Sequence, residues 1–169
     1  MGESNTEDAA RIPESIRSAI LEPFATAALS TLEETAQSPA IVDGFFRAPQ
    51  PRELGDVFAF MQLKPEPSDF LMLCVRQETA DKLARRALAE SNVEPDPSLV
   101  RDSMGEILNV IAGQAKTILN ETPYHFFLST PLLLDPLSDA FPKGNDASCW
   151  GISFSCEAGE LHLVLRLTR

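Results

Sequence analysis

Residues 102–113 read Asp102-Ser103-Met104-Gly105-Glu106-Ile107-Leu108-Asn109-Val110-Ile111-Ala112-Gly113, and their spacing decides how the chain folds around them. At roughly 100° per residue, Asp102, Glu106, Asn109, Gly113 and Lys116 fall within a stripe about 80° wide. Val100, Met104, Ile107, Leu108, Ile111, Ala115, Ile118 and Leu119 occupy the opposite side. The pattern predicts an amphipathic helix over residues 98–120 that buries one face and turns a narrow acid–amide ridge outward. Asp96 is the expected N-cap, with Pro97 at the first helical position. Asn and Gly each cost up to about 1 kcal/mol relative to Ala inside a helix. A purely structural surface helix gains nothing by placing both on one stripe.

Working outward, Pro13-Glu14 fits a helix start. Ile16, Ile20, Leu21, Phe24, Ala27, Ala28 and Leu32 then recur at helical spacing to about residue 35. Pro23 lies inside that pattern and predicts a kink or a late start. Strand-like segments follow at 41–48, 54–63 and 69–76, separated by Pro49-Gln50-Pro51 and Pro65-Glu66-Pro67. A helix is expected over 79–89. Beyond the central helix, 124–129 reads as a strand leading to Pro131 and 132–134. After a polar loop at 138–147, segments 150–156 and 161–167 read as a hairpin across Glu157-Ala158-Gly159-Glu160. Leu161, Leu163, Leu165 and Leu167 alternate with His162, Val164, Arg166 and Thr168, as in an antiparallel strand with one face buried and one partly exposed.

A helix followed by three strands thus occurs twice. The expected class is α+β, a mostly antiparallel six-stranded sheet covered by helices. Residues 1–12 read as a flexible acidic tail and 13–169 as one domain.

Composition narrows the function. A chain of 169 residues with 44% apolar and 23% charged side chains is long enough to bury a core without disulfides or metals. Its 25 acidic and 14 basic side chains give a net charge of −11, and no basic run exceeds Arg85-Arg86. Nucleic acid and anionic membrane surfaces are therefore poor partners. The first residues are polar and acidic, unlike a secretory signal, and no apolar run approaches the ~18 residues of a membrane span. Cys74, Cys149 and Cys156 have no Cys-x-x-Cys spacing, and His125 and His162 stand in separate segments. No structural metal is expected. A reduced, cytoplasmic protein is the expectation.

With these elements in place, Asp102-x-x-x-Glu106-x-x-Asn109 followed by Gly113 resembles the active-site helix of the CheC/CheX/FliY class of response-regulator phosphatases. The run Met104 to Lys116 is closest to the CheX branch. Leu128-Ser129-Thr130-Pro131 is similar to the Ser-x-Pro strand that this family places after the helix. The repeated helix-plus-three-strands order also resembles that family, and the likeness extends over residues 16–169. It implies hydrolysis of an aspartyl phosphate on a CheY-type response regulator. That partner would supply the Mg²⁺ and a phosphate-binding lysine, so this chain would bind no cofactor of its own.

The residue types suit such a task. A carboxamide can accept a hydrogen bond from water and donate one to a phosphoryl oxygen, and a carboxylate can pair with a lysine. By resemblance, Asn109 would orient the attacking water and Glu106 would contact the partner's lysine. Gly113 would let the partner's loops approach closely. Asp102 would either shape the site electrostatically or simply sit favourably near the positive end of the helix. Lys116 reads as a solvated charge, Pro131 as a bend in an edge strand, and Trp150 and Phe126-Phe127 as core.

Some relatives carry a second Glu-x-x-Asn on the first helix. Here the corresponding run is Glu22-Pro23-Phe24-Ala25, which predicts one site per chain. Gln114 follows Gly113 where the CheX pattern often has asparagine, a change expected to matter little. CheX-type relatives also imply a homodimer, pairing through sheet edges or faces. The rival reading is a docking or adaptor module of the same fold, which recognises a receiver domain or another signalling partner without hydrolysing anything. An unrelated small-molecule enzyme is disfavoured, because the chain shows no phosphate-binding glycine loop and no nucleophile beside a base.

Overall fold

In a computed structural model of the chain, residues 11–48, 50–142 and 149–168 are described. Most of the expected acidic tail, and residues 143–147 of the expected polar loop, lie outside them. Six strands form one antiparallel sheet: β1 (Ala40–Arg47), β2 (Val57–Gln62), β3 (Phe70–Val75), β4 (Leu132–Leu133), β5 (Cys149–Cys156) and β6 (Gly159–Arg166). Their spatial order is β1-β5-β6-β3-β2-β4. Exchanging the first three strands for the last three reverses this order without otherwise changing it. The sheet therefore has the two-fold symmetry expected of a duplicated helix-plus-three-strands unit, with β6 and β3 paired at its centre.

The first helix, α1 (Glu22–Glu34), is preceded by one α-turn, Glu14–Ile16, and a π-helical stretch, Arg17–Leu21. This irregularity is the kink expected from Pro23. Proline has no N–H to give and its ring collides with the carbonyl four residues back. The chain resolves the conflict by widening the turn just ahead of it, so that Glu22 N–H donates to the Arg17 carbonyl. Next come α2 (Gln77–Ala87) and α3 (Pro97–Leu119). As the sequence predicts, Asp96 caps α3, its carboxylate accepting from Leu99 N at 2.8 Å.

The three α-helices α1, α2 and α3 pack on one face of the sheet, whereas the short 3-10 turn Pro51–Leu54 reaches the other face through Leu54. Between the α-helices and the sheet sits the main core, built from Phe24, Ala28 and Leu32 of α1, Met104, Leu108 and Ile111 of α3, and Ile152, Phe154, Leu161, Leu163 and Leu165 from the sheet. Phe24 of α1 stacks on Phe126 at 5.8 Å. On the opposite face a smaller cluster gathers Phe58, Met72, Cys74, Cys149 and Val164 under Phe141. The edge of Phe141 meets Phe58 at 4.8 Å, and Arg52 lies over the Phe141 ring. Val164, read as a partly exposed position, is fully buried by this second cluster.

Other expectations are corrected. Residues 124–129 do not form a strand: Phe127 makes a single bridge to Lys64, and the edge strand is the short β4. Phe127 is 58% exposed and Ile118 45% exposed, whereas both were placed in the core by pattern. The last strand, β6, read only as an antiparallel strand, lies inside the sheet between β5 and β3, and the strands at the two ends of the order are β1 and β4. The three thiols are unpaired. Burial pushes those of Cys74 and Cys149 upward, away from the reactive thiolate.

The hairpin between β5 and β6 turns through Glu157 and Ala158 and returns at Gly159, whose φ is +136°. L-residues rarely adopt that conformation, and a side chain there would also collide with the hydroxyl of Thr79 on α2. Gly159→Ala is expected to destabilise the protein by about 1–3 kcal/mol in urea unfolding. The double variant Gly159→Ala/Thr79→Ala should recover only part of that loss, because the backbone strain persists. A Gly159→Ala protein as stable as wild type would contradict this reading.

Candidate functional site

Packing fixes which side of α3 faces out. Val100, Met104, Ile107, Leu108, Ile111, Ala112, Ala115 and Leu119 are all buried against α1 and the sheet. Gly105 is buried as well. A Cβ built there would lie 3.4 Å from Leu133 Cδ2 and 4.0 Å from Pro131 Cβ, an ordinary van der Waals contact, so the edge strand packs directly over the helix at this point. Along the outward stripe Asp102 and Glu106 are exposed and Asn109, Gly113 and Lys116 half-buried, while Arg101, Thr117 and Ile118 of the same helix are exposed elsewhere on it. The structure therefore brings Asp102, Glu106, Asn109 and Gly113 together on one ridge, successive residues about one turn apart along the stripe.

The ridge is chemically unspent. Asp102, Glu106 and Asn109 make no hydrogen bond or ion pair with other described residues. Two carboxylates at i and i+4 repel by about 0.2–0.5 kcal/mol in a helix, and neither forms an ion pair with another described residue. The basic side chains of α2 are engaged elsewhere: Lys82 with Glu78 at 3.3 Å, Arg85 with Glu94 at 3.0 Å and Arg86 with Glu157 at 3.1 Å.

The two glycines on α3 stand in different surroundings. Gly105 faces the edge strand at ordinary contact distance. A Cβ on Gly113 would meet nothing within 4 Å, so no packing inside the chain calls for glycine there.

Beside the ridge lies a shallow groove of about 340 Å³, lined by Thr35, Ala87, Leu88, Leu99, Asp102, Ser103, Glu106 and Ile107. Sequence reasoning missed it. Leu88 and Thr35 come from the ends of other helices, and only the tertiary fold places them beside α3. A signal for the Gly105 contact was present, since a glycine in the apolar part of a helix marks a close approach.

The corresponding face of α1 is built differently. Glu22 pairs with Arg17 at 3.4 Å, and Ala25, which stands where an amide would be needed, is buried. Among the described residues, no group of three or more His, Cys, Asp or Glu side chains could hold a metal ion. No helix among the described residues is long and apolar enough to cross a membrane.

Residues 57–154, more than half of the chain and including all of α3, match the family described as chemotaxis phosphatase CheX. The chain belongs to the CheX family. Solved structures agree on the fold. The chain is similar to a chemotaxis protein CheX from Desulfovibrio desulfuricans, with 22% identity, 88% of this chain and 99% of that one covered, and a TM-score of 0.73. It is also similar to the CheX–CheY–BeF3–Mg²⁺ complex from Borrelia burgdorferi, with 18% identity, coverage of 88% and 97%, and a TM-score of 0.67. For FliY from Thermotoga maritima the identity is 15%, the coverage 92% and 91%, and the TM-score 0.65. No curated protein sequence matches the chain.

Because Gly113 stands in open space, Gly113→Ala is expected to stabilise this CheX-family protein by about 0.5–1 kcal/mol through helix propensity. Urea midpoints of the two proteins would test this. A destabilised alanine variant would mean that glycine serves the fold at this position and not the approach of a partner.

Proposed function

We propose that this protein hydrolyses the aspartyl phosphate of a CheY-type response regulator. The observation that carries the reading is the ridge itself: Glu106 and Asn109 share one outward stripe of a helix whose other side is buried in the core, and neither side chain has a partner among the described residues. Membership in the CheX family and the fold likeness to a CheX bound to CheY with BeF3 and Mg²⁺ support it. Beryllium trifluoride has the shape and charge distribution of a phosphoryl group, which is why such a complex bears on phosphoryl chemistry.

In the proposed reaction, water attacks phosphorus in line and the phosphorus–oxygen bond to the receiver's aspartate breaks. The carboxylate leaves, and inorganic phosphate is released with the proton of the water. The receiver's Mg²⁺ and lysine neutralise charge on the phosphoryl oxygens. This chain contributes position: Asn109 accepts a hydrogen bond from the water and donates to a phosphoryl oxygen, while Glu106 holds the receiver's lysine. Asp102 adds to the negative field that draws the partner in, and Gly113 leaves room for its loops. Neither a metal nor a cofactor bound by this chain enters the scheme. The site of action would be the cytoplasm, where receivers reside.

Loss of acylphosphate from a phosphorylated receiver, followed with and without the protein, tests the scheme. Asn109→Ala should lower the acceleration by roughly 100-fold or more while binding changes little. If wild type binds receivers from the same genome and accelerates none of them, the chain is a docking module of the same fold.

We also propose a homodimer formed through a free sheet edge, β1 or β4, each of which exposes a large apolar side chain (Ile41 and Leu132). Light scattering at micromolar concentration should give twice the chain mass, and a monomer would remove the dimer from the scheme.

A further inference from the structure

The groove beside Glu106 joins apolar surface to negative charge. Its lining combines the apolar side chains of Ala87, Leu88, Leu99 and Ile107 with the carboxylates of Asp102 and Glu106. Thr35, the C-cap of α1, and Leu88, the C-cap of α2, also line it, and the partial negative charge of these helix ends is set against the positive N-terminal end of α3, where Leu99 lies. The net charge of the lining side chains is therefore that of Asp102 and Glu106, and none of the lining residues is basic. Arg85 and Arg86, the nearest cations in sequence to the end of α2, are held by Glu94 and Glu157.

An apolar trough with a negative end fits one kind of side chain, a long alkyl stem ending in a cation. The groove lies on the flank of α3 that carries Ser103 and Ile107, whereas Asn109 turns toward the flank of Gly105, which seats on the edge strand. An occupant of the groove would therefore not crowd the proposed water position.

We propose that this groove is a specificity pocket for a second basic residue of the receiver, distinct from its phosphate-binding lysine. The stem of that residue lies over Leu88 and Leu99, and its cationic head is held by Asp102. The inference rests on the receiver-phosphatase reading and deepens it. Glu106 engages the lysine found in every activated receiver, whereas the groove distinguishes receivers by a residue that varies among them. The pair of carboxylates then has two customers, which accounts for both being left unpaired at a cost to the helix.

The test is a coupling experiment by binding. Affinity for a BeF3⁻-activated receiver is measured for wild type, Asp102→Asn and Leu88→Ala, against receivers in which each surface lysine or arginine is changed singly to alanine. Asp102→Asn should weaken binding roughly tenfold, with a flatter dependence on salt. One receiver position other than the phosphate-binding lysine should cost affinity with wild type and almost nothing with either variant. If Asp102→Asn binds as wild type does, or if coupling appears only at the phosphate-binding lysine, the pocket is overturned. Wild-type hydrolysis is measured separately. Tight binding without acceleration would sink the phosphatase reading while the coupling result still decides the pocket. Failure to bind any receiver would overturn both.

Discussion

Everything at the site depends on how α3 is buried. The helix packs against α1 and the sheet, and its buried side chains fix its rotation about its own axis. An ordinary surface helix can turn or fray to present different residues. This one cannot, because a rotation large enough to hide Glu106 would drag Met104, Leu108 and Ile111 out of the core. Asp96 at one end and the edge strand seated on Gly105 limit sliding along the axis. The ridge is thus a rigid presentation of three polar groups that have no role in folding.

That rigidity suits a division of labour between two proteins. In the proposed reaction the partner already holds the phosphoryl group, its metal and its charge-balancing lysine. What is missing is a group that makes one orientation of water much more populated than the rest. A carboxamide on a fixed helix can do this without a pocket, because the cleft is completed only when the two proteins meet. Exposure of Glu106 and the half-exposure of Asn109 are then requirements of the chemistry. A deep pocket would exclude the receiver along with the solvent.

Much of this was legible in the sequence, for a specific reason. The helical period of residues 98–120 assigned α3 its inner and outer faces, and Pro23 marked the irregularity in α1. The repeated order of elements gave an antiparallel sheet whose two halves exchange by symmetry. The misreadings also share a cause. Ile118 and Phe127 are apolar residues at positions that tertiary structure leaves uncovered, and residues 124–129 have strand composition but only one bridging partner. Val164 looked half-exposed because a period of two cannot reveal Phe141 arriving from a distant loop to bury it. Local pattern specifies which face is apolar, but not whether another segment arrives to cover it.

The same limit hid the groove, and it shows what a helix end contributes beyond its own residues. Thr35 and Leu88 carry no charge, and nothing in their sequence neighbourhoods suggests a cation. Yet each caps the C-terminus of a helix, and the duplicated fold brings both caps to one flank of α3. The partial negative charge of those ends meets the positive N-terminal turn of α3 there, so the carboxylates of Asp102 and Glu106 set the sign of the field. Substituting either carboxylate removes one charge from the flank but leaves the other in place. Substitution of Asp102 should therefore weaken attraction for a basic side chain without reversing it.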